Sequence, residues 1–328
     1  RKPFPKHLED SLHKKFICEE KKESPETFTL RLKNGRVWGP QGTIITRENI
    51  LLQEFSREFR PYTKDYEIFK QAYISRPEKI EKTVAVLACP AGQIYGHFLF
   101  DMLPRIAILE KSGFLRDKID YFFVTETHKK YESGLLELLG IPLQKTLVAT
   151  KKLHIQAEEL LAPSLPGYSG NYPKWVIDFL RSECLPYAKE VSGLGDRIYI
   201  SRAKAAGRQV TNEDMLLELL QTYGFKSVCI EDYPIPEQIG IFAQANFLIG
   251  GMGSNMANAV FCKPRTKVME LYSSEAVNVF TWSLGCHIPL DFYYILGSPQ
   301  DNSSPSQHNA NYYMDLKKMK ILLDKFIF

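Results

Sequence analysis

The stretch Asn246-Phe-Leu-Ile-Gly-Gly-Met-Gly-Ser-Asn-Met-Ala-Asn-Ala-Val-Phe-Cys-Lys-Pro-Arg-Thr-Lys-Val-Met-Glu-Leu-Tyr272 decides the fold class. Its apolar start, Phe247 to Ile249, reads as a buried strand running into glycines at 250, 251 and 253. A short amphipathic helix follows over 254–262, then a second strand over 267–271 that carries Glu270. Glycines let the backbone approach a ligand closely, and the first free N–H groups of a helix favour an anion above the loop. A carboxylate about 20 residues beyond such glycines is placed to accept hydrogen bonds from a ribose. The stretch therefore reads as a nucleotide cradle in an α/β unit.

The same texture extends on both sides. Strands are predicted at 197–201, 226–230, 246–250 and 267–271, and helices at 212–223, 236–245, 254–262 and 275–284, the alternation of a doubly wound sheet. Thr211 or Asn212 is expected to cap the helix that starts there, with Glu213 and Asp214 in its first turn and Gly224 at its close. Upstream, 84–88, 121–124, 146–149 and 158–162 read as strands, with helices over 95–111 and around 135–139. A small β element opens the chain, Thr27 to Leu32 and Val37 to Thr46 flanking an Asn34-Gly35 hairpin turn. The flexible run Val191 to Gly195 marks a domain boundary. The expected organisation is an N-terminal arm (1–25), an α/β domain (26–192), a second α/β domain (193–300), and a mobile loop with a C-terminal helix (301–328). Two Rossmann-like lobes would then face a central cleft, where ligands usually bind.

Composition narrows the function classes. The 328 residues carry 42 basic and 38 acidic side chains, a net charge of +4 without a clustered basic stripe, which argues against nucleic acid as a partner. Six cysteines are scattered singly, with neither zinc-site spacing nor the density of a disulfide scaffold, and favour the cytoplasm. No apolar run reaches the ~20 residues needed to span a bilayer. The start at Arg1 without Met leaves room for a removed N-terminal anchor, and with it peripheral membrane association or a Golgi or ER lumenal location. The single sequon Asn302-Ser303-Ser304 would suit the lumen.

Two constellations could carry chemistry. His97, Asp101 and Arg105 stand at i, i+4 and i+8 and so share one helical stripe, with Pro104 expected to kink the helix or set its start. Either they form an ion pair anchoring the helix, or Asp101 orients His97, or itself accepts a proton, so that one of them is a general base. Ser201, Arg202 and Arg208 follow the strand at 197–201, where the crevice of a doubly wound sheet opens. A guanidinium there is either a surface charge or a bidentate diphosphate ligand. Glu231 and Asp232 line the next strand end, as sugar or base contacts or as helix caps. The chain contains no Asp-x-Asp pair, so charge on a diphosphate would fall to Arg202 and helix dipoles, and no metal cofactor is expected.

In order and spacing these motifs resemble glycosyltransferase family 61, which includes plant xylan transferases, animal protein O-linked N-acetylglucosaminyltransferases and bacterial capsular-polysaccharide proteins. The pieces are Tyr95 to Arg105, Ile200-Ser201-Arg202 with Asn212-Glu213, Glu231-Asp232 with Glu237-Gln238-Ile239, and Gly253 to Asn258 with Phe261, Pro264 and Glu270. The resemblance implies a GT-B enzyme of two lobes, inverting and metal-independent. It moves a sugar from a nucleotide sugar, usually UDP-linked, to a hydroxyl of a glycan or glycoconjugate. By position, His97 and Asp101 become candidates for the base, with Arg105 also on the acceptor side. Ser201, Arg202, Arg208, Glu231, Gly251, Gly253, Ser254, Asn255, Asn258 and Glu270 become donor ligands.

One position departs from the family loop Gly-x-His-Gly-Ala: Met252 replaces the His, and Ser254 replaces the Ala. A thioether donates no hydrogen bond, so Ser254 and Asn255 take over that contact, the donor differs, or the chain binds without turnover. Two other readings compete. Gly251-x-Gly253 with Glu270 imitates the fingerprint of an NAD-dependent oxidoreductase, although Met256 stands where the third glycine belongs. A non-catalytic carbohydrate-binding relative is the other.

Overall fold

The computed structural model describes residues 4–18, 23–125, 130–300 and 309–327. The chain divides into two compact units, one of Ser24–Glu183 and one of Arg1–Glu23 with Cys184–Phe328. Both are α/β, each built on a mixed sheet. The sequon and residues 301–308 of the expected mobile loop lie outside the described residues. Among the described residues no helix is long and apolar enough to cross a membrane.

The first unit holds β1 (Thr29–Lys33), β2 (Arg36–Trp38), β3 (Thr43–Ile45), β4 (Glu78–Val86), β5 (Tyr121–Val124), β6 (Thr146–Val148) and β7 (His154–Pro163). The sheet order is β3-β2-β7-β4-β5-β6, with β4 to β7 parallel and β1, like β2, antiparallel to β7. The expected Asn34-Gly35 hairpin is absent. Lys33 faces Glu159 and Arg36 faces Gln156 in one unbroken register, so β1 and β2 run on as a single interrupted strand along β7. The chain reverses instead at Gly39 and Gly42, both at positive φ, which returns it as β3 against β2. Only those two glycines supply the left-handed backbone that the reversal needs. Val37, Ile44, Val84, Val86, Phe123 and Leu160 centre the core of this unit.

The second unit carries β8 (Arg197–Ile200), β9 (Lys226–Val228), β10 (Phe247–Gly251), β11 (Lys267–Ser273), β12 (Asp291–Pro299) and β13 (Tyr312–Tyr313). Its order is β13-β12-β11-β10-β8-β9, all parallel except β13. Six of the seven residues of β11 are buried, as expected of a parallel strand covered on both faces. The opening strand β8 has β9 on one side and β10 to β12 on the other, so the winding reverses between β8 and β10. In open α/β sheets ligands bind at that reversal, outside the carboxyl ends of the strands.

The N-terminal residues, expected as a loose arm, pack onto this sheet. Lys6 N–H donates to Phe292 O (2.9 Å), Tyr294 N–H donates to Lys6 O (3.0 Å), and the fully buried Phe16 meets Trp282 and Tyr294. Asn212 sits at the predicted N-cap but spends its side chain elsewhere: Nδ2 donates to Met314 O and Oδ1 accepts from Met314 N–H, each at 2.9 Å. The amide thus fastens the returning C-terminal strand. Gly224, at φ 78°, closes that helix as predicted.

Candidate functional site

The reversal between β8 and β10 brings together the residues that the sequence placed 51 positions apart. Arg202 leaves the end of β8, and its guanidinium lies against Gly253, just beyond the end of β10. A Cβ on Gly253 would overlap Arg202 Nη1 and stand 2.7 Å from Cζ, and one on Gly251 would stand 2.8 Å from Arg202 Cδ. Only glycine permits this approach. Arg202 Nε donates to Arg208 O (3.2 Å), Nη2 to Gly207 O (3.0 Å) and Nη1 to Asn255 Oδ1 (3.5 Å). Three of five N–H donors are thus engaged in fixing the fork, and two remain for a ligand among the described residues. The loop is wrapped around the side chain at some backbone cost, since Arg208 occupies the left-handed region at φ 57°.

Charge at this point is unbalanced. Burial, then the neighbouring Arg208, hold the Arg202 guanidinium below its ordinary value, while Tyr312, Glu231 and Glu270 pull the other way. Burial likewise lowers Arg208. Two guanidiniums held beside each other repel unless an anion sits between or above them. The loop itself is a 3₁₀ stretch over Ser254–Phe261 rather than the expected α-helix, with Asn255 Oδ1 accepting from Met256 N–H (3.0 Å). Eight residues is long for this geometry, and the tighter winding follows from the Gly253 carbonyl accepting from Met256 N–H, an i to i+3 bond. Met252, in place of the family's histidine, is buried, and its N–H donates to Leu271 O.

Other predicted donor-side residues fall around this centre in different states. Ser201 is buried and donates to Glu213 (3.0 Å) while accepting from Ala203 N–H (3.1 Å), so its hydroxyl holds the loop. Ser254 is half-buried, Glu231 is exposed, and Asn258 is wholly buried in the 3₁₀ stretch. Glu270, paired in register with Gly250, is only 2% exposed and accepts from Tyr272 Oη at 2.6 Å. Tyr312, unremarked in the sequence, donates to Leu271 O (3.2 Å), and its Oη would stand 2.9 Å from a Cβ at Gly251. It comes from the far end of the chain, so no local pattern announces it.

The other unit contains the second predicted cluster. Tyr95–His97 is α-helical, Phe98–Met102 forms a π-turn, and an α-helix resumes over Arg105–Lys111 with Pro104 as its N-cap. Proline lacks an N–H and crowds the carbonyl four residues back, so the turn before it widens. Leu103 N–H accordingly reaches Phe98 O at 3.1 Å. His97 Nδ1 meets Asp101 Oδ2 at 2.6 Å, and Tyr172 Oη donates to Asp101 Oδ1 at 2.7 Å. Asp101 is buried, whereas the His97 side chain is 23% exposed. An aspartate that accepts the Nδ1 proton leaves Nε2 with its lone pair, the form of a general base. Tyr172 follows β7, the neighbour of β4 on the side away from β5, so this cluster also borders a reversal of strand order. Arg105 lies close enough to Asp101 to feel its charge. The widened turn carries it inward, 2% exposed, where Nη1 donates to Ala88 O at 2.7 Å beyond the end of β4.

An α/β unit whose strand reversal presents guanidiniums and a glycine-lined loop offers positive charge and close backbone approach at one place. The family model described as Glycosyltransferase 61 matches residues 95–269, more than half of the chain, and this chain belongs to that family. The match takes in His97, Asp101, Arg202 and Gly253 and stops one residue short of Glu270. No curated protein aligns with the chain. Membership implies a sugar donor and an acceptor as substrates.

Proposed function

We propose that the chain is an inverting, metal-independent glycosyltransferase of GT-B type that moves a hexose or pentose from a UDP-sugar to a hydroxyl of a glycan or glycoconjugate. The observation that carries this reading is the guanidinium of Arg202 seated on Gly253, beside Arg208, at the strand reversal. The fixed Arg202 guanidinium with Arg208 beside it neutralises a diphosphate and stabilises the charge that grows on it as it leaves. His97, oriented through Nδ1 by Asp101, takes the proton of the acceptor hydroxyl at Nε2, and that oxygen attacks the anomeric carbon from the face opposite the departing diphosphate. The nucleotide leaves as UDP, and the new glycosidic bond has the inverted configuration. Charge supplied by arginines, with no Asp-x-Asp pair in the sequence, supports turnover without a divalent ion.

Thermal-shift titration with UDP-sugars and with NAD, followed by a transfer assay with chelator present, tests the proposal. Stabilisation by a UDP-sugar, its loss in Arg202→Ala, and transfer that survives chelation are the expected results. Removal of such a charged ligand typically costs about 10²–10³ in rate. Stabilisation by NAD and by no nucleoside diphosphate would replace the transferase with an oxidoreductase. Gly253→Ala should imitate Arg202→Ala, and the double variant should be no worse than either single one, because the added methyl displaces the same guanidinium.

A further inference from the structure

The geometry points to Phe59 as the acceptor-stacking residue of this enzyme, a platform on which a pyranose ring lies while one of its rim hydroxyls reaches His97. The inference rests on the transferase reading given above and adds the substrate class at the acceptor side. Phe59 is 65% exposed, yet its ring centroid lies 5.4 Å from that of His97 with the planes tilted by 52°. His97 turns Nδ1 to Asp101, and its ring lies beside an exposed aromatic ring. That face is held in place rather than swinging on a loose loop. Three residues before it, Ser56 is buried and its hydroxyl joins the backbone of Ile44, accepting from the N–H at 2.8 Å. Next to it, Glu58 accepts from Glu67 N–H at 2.9 Å, and the following turn is anchored by the buried Tyr66.

A large aromatic left in water beside a candidate base calls for a ligand that is flat and apolar on one side and hydroxylated at its edge. A pyranose has that form: C–H groups cover its faces and hydroxyls its rim, so stacking on Phe59 sets a hydroxyl sideways toward the imidazole. A serine or threonine side chain on an extended peptide has no flat face to offer. Stacked ring contacts contribute on the order of 1 kcal/mol in related aromatic pairs, about a five- to tenfold effect on affinity.

The test compares wild type, Phe59→Ala and Phe59→Trp in two assays. In the first, KM is measured separately for acceptor sugar and UDP-sugar donor. In the second, saturation-transfer NMR is recorded without donor, on methyl β-glycosides of glucose, galactose, xylose and N-acetylglucosamine. Expected are an acceptor KM about five- to tenfold higher in Phe59→Ala, an unmoved donor KM, recovery in Phe59→Trp, and saturation of ring C–H signals in wild type that Phe59→Ala abolishes. An acceptor KM that Phe59→Ala leaves unchanged, or efficient transfer to a hydroxyl peptide that is indifferent to Phe59, overturns the assignment. If wild type transfers no sugar at all, the transferase reading fails on its own and the NMR arm alone decides whether Phe59 holds a pyranose: saturation lost in Phe59→Ala upholds the platform, and saturation retained or absent throughout removes it.

Discussion

Burial lifts the Glu270 carboxyl to about 7, and the hydrogen bond from Tyr272 together with the charges of Arg208 and Arg202 only partly opposes it. The carboxyl is enclosed, with Tyr272 Oη on one oxygen at 2.6 Å and with its charge felt by Arg202 and Arg208. Its ionisation makes the unit's stability depend on pH in an unusual direction. Because the folded state holds this proton more tightly than the unfolded chain, the stabilisation is complete at pH values below the ordinary carboxyl value of 4.5, declines as pH rises, and is gone above about 7. Glu270→Gln keeps an acceptor for Tyr272 and removes the titration. The thermal midpoint of wild type should therefore fall relative to that of Glu270→Gln between pH 5 and 8, by an amount on the order of 2 kcal/mol in stability. Parallel curves for the two proteins across that range would mean that Glu270 is ionised in the native state throughout. The spacing of Glu270 from the glycines was visible in the sequence, but spacing along a strand buried on both faces says nothing of which way a side chain points.

At the scale of elements, glycine records how closely the pieces pack. The helix Ile235–Gln244 delivers the chain into β10, and Gly240 on it lies so near the segment after Cys184 that a Cβ would overlap the carbonyl oxygen of Lys189. Lys189 N–H also donates to Pro236 O at 2.8 Å, so neither backbone can retreat freely. Gly240→Ala should cost about 1–3 kcal/mol, in the range of overpacked cores, and lower the melting temperature. The same change at Gly96, beside His97, meets nothing within 4 Å and replaces a poor helix former, so it should be neutral or slightly stabilising. A Gly240→Ala protein as stable as wild type would show that the helix can slide. The contact itself was beyond the reach of sequence, where Gly240 is one small residue in an apolar helix. Legible instead were the His97–Asp101 pair, because i and i+4 face each other on any helical turn, and the position of Pro104. The width of the turn was not, since it depends on what the freed carbonyl finds.

Across the molecule, β8 to β11 of the second unit were readable because parallel strands covered on both faces are written as short apolar runs, whereas β12 and the two-residue β13 were not predicted. Their order was not, since the reversal between β8 and β10 depends on the side to which each crossover returns, and periodicity is blind to that. Tyr172 and Tyr312 escaped for a related cause: each reaches its partner from a distant segment, 71 residues in the case of Tyr172 and Asp101. The N-terminal residues teach the same lesson from the opposite direction. Charged and proline-punctuated, they carry too few apolar side chains to show a period, yet Phe16 is fully buried against Trp282, Phe292 and Tyr294 of the second unit. If that ring is part of this unit's core, Phe16→Ala should destabilise it by roughly 3 kcal/mol, the cost of emptying an aromatic site. The three tryptophans allow the loss to be localised. With Trp38 and Trp175 replaced by Phe, emission from Trp282 follows the second unit in denaturant; with Trp282 and Trp175 replaced instead, Trp38 follows the first. Phe16→Ala should move the Trp282 transition to lower denaturant and leave the Trp38 transition where it was. Equal movement of both would make the chain one cooperative body, and an unmoved Trp282 transition would return the N-terminal residues to the status of a loose arm.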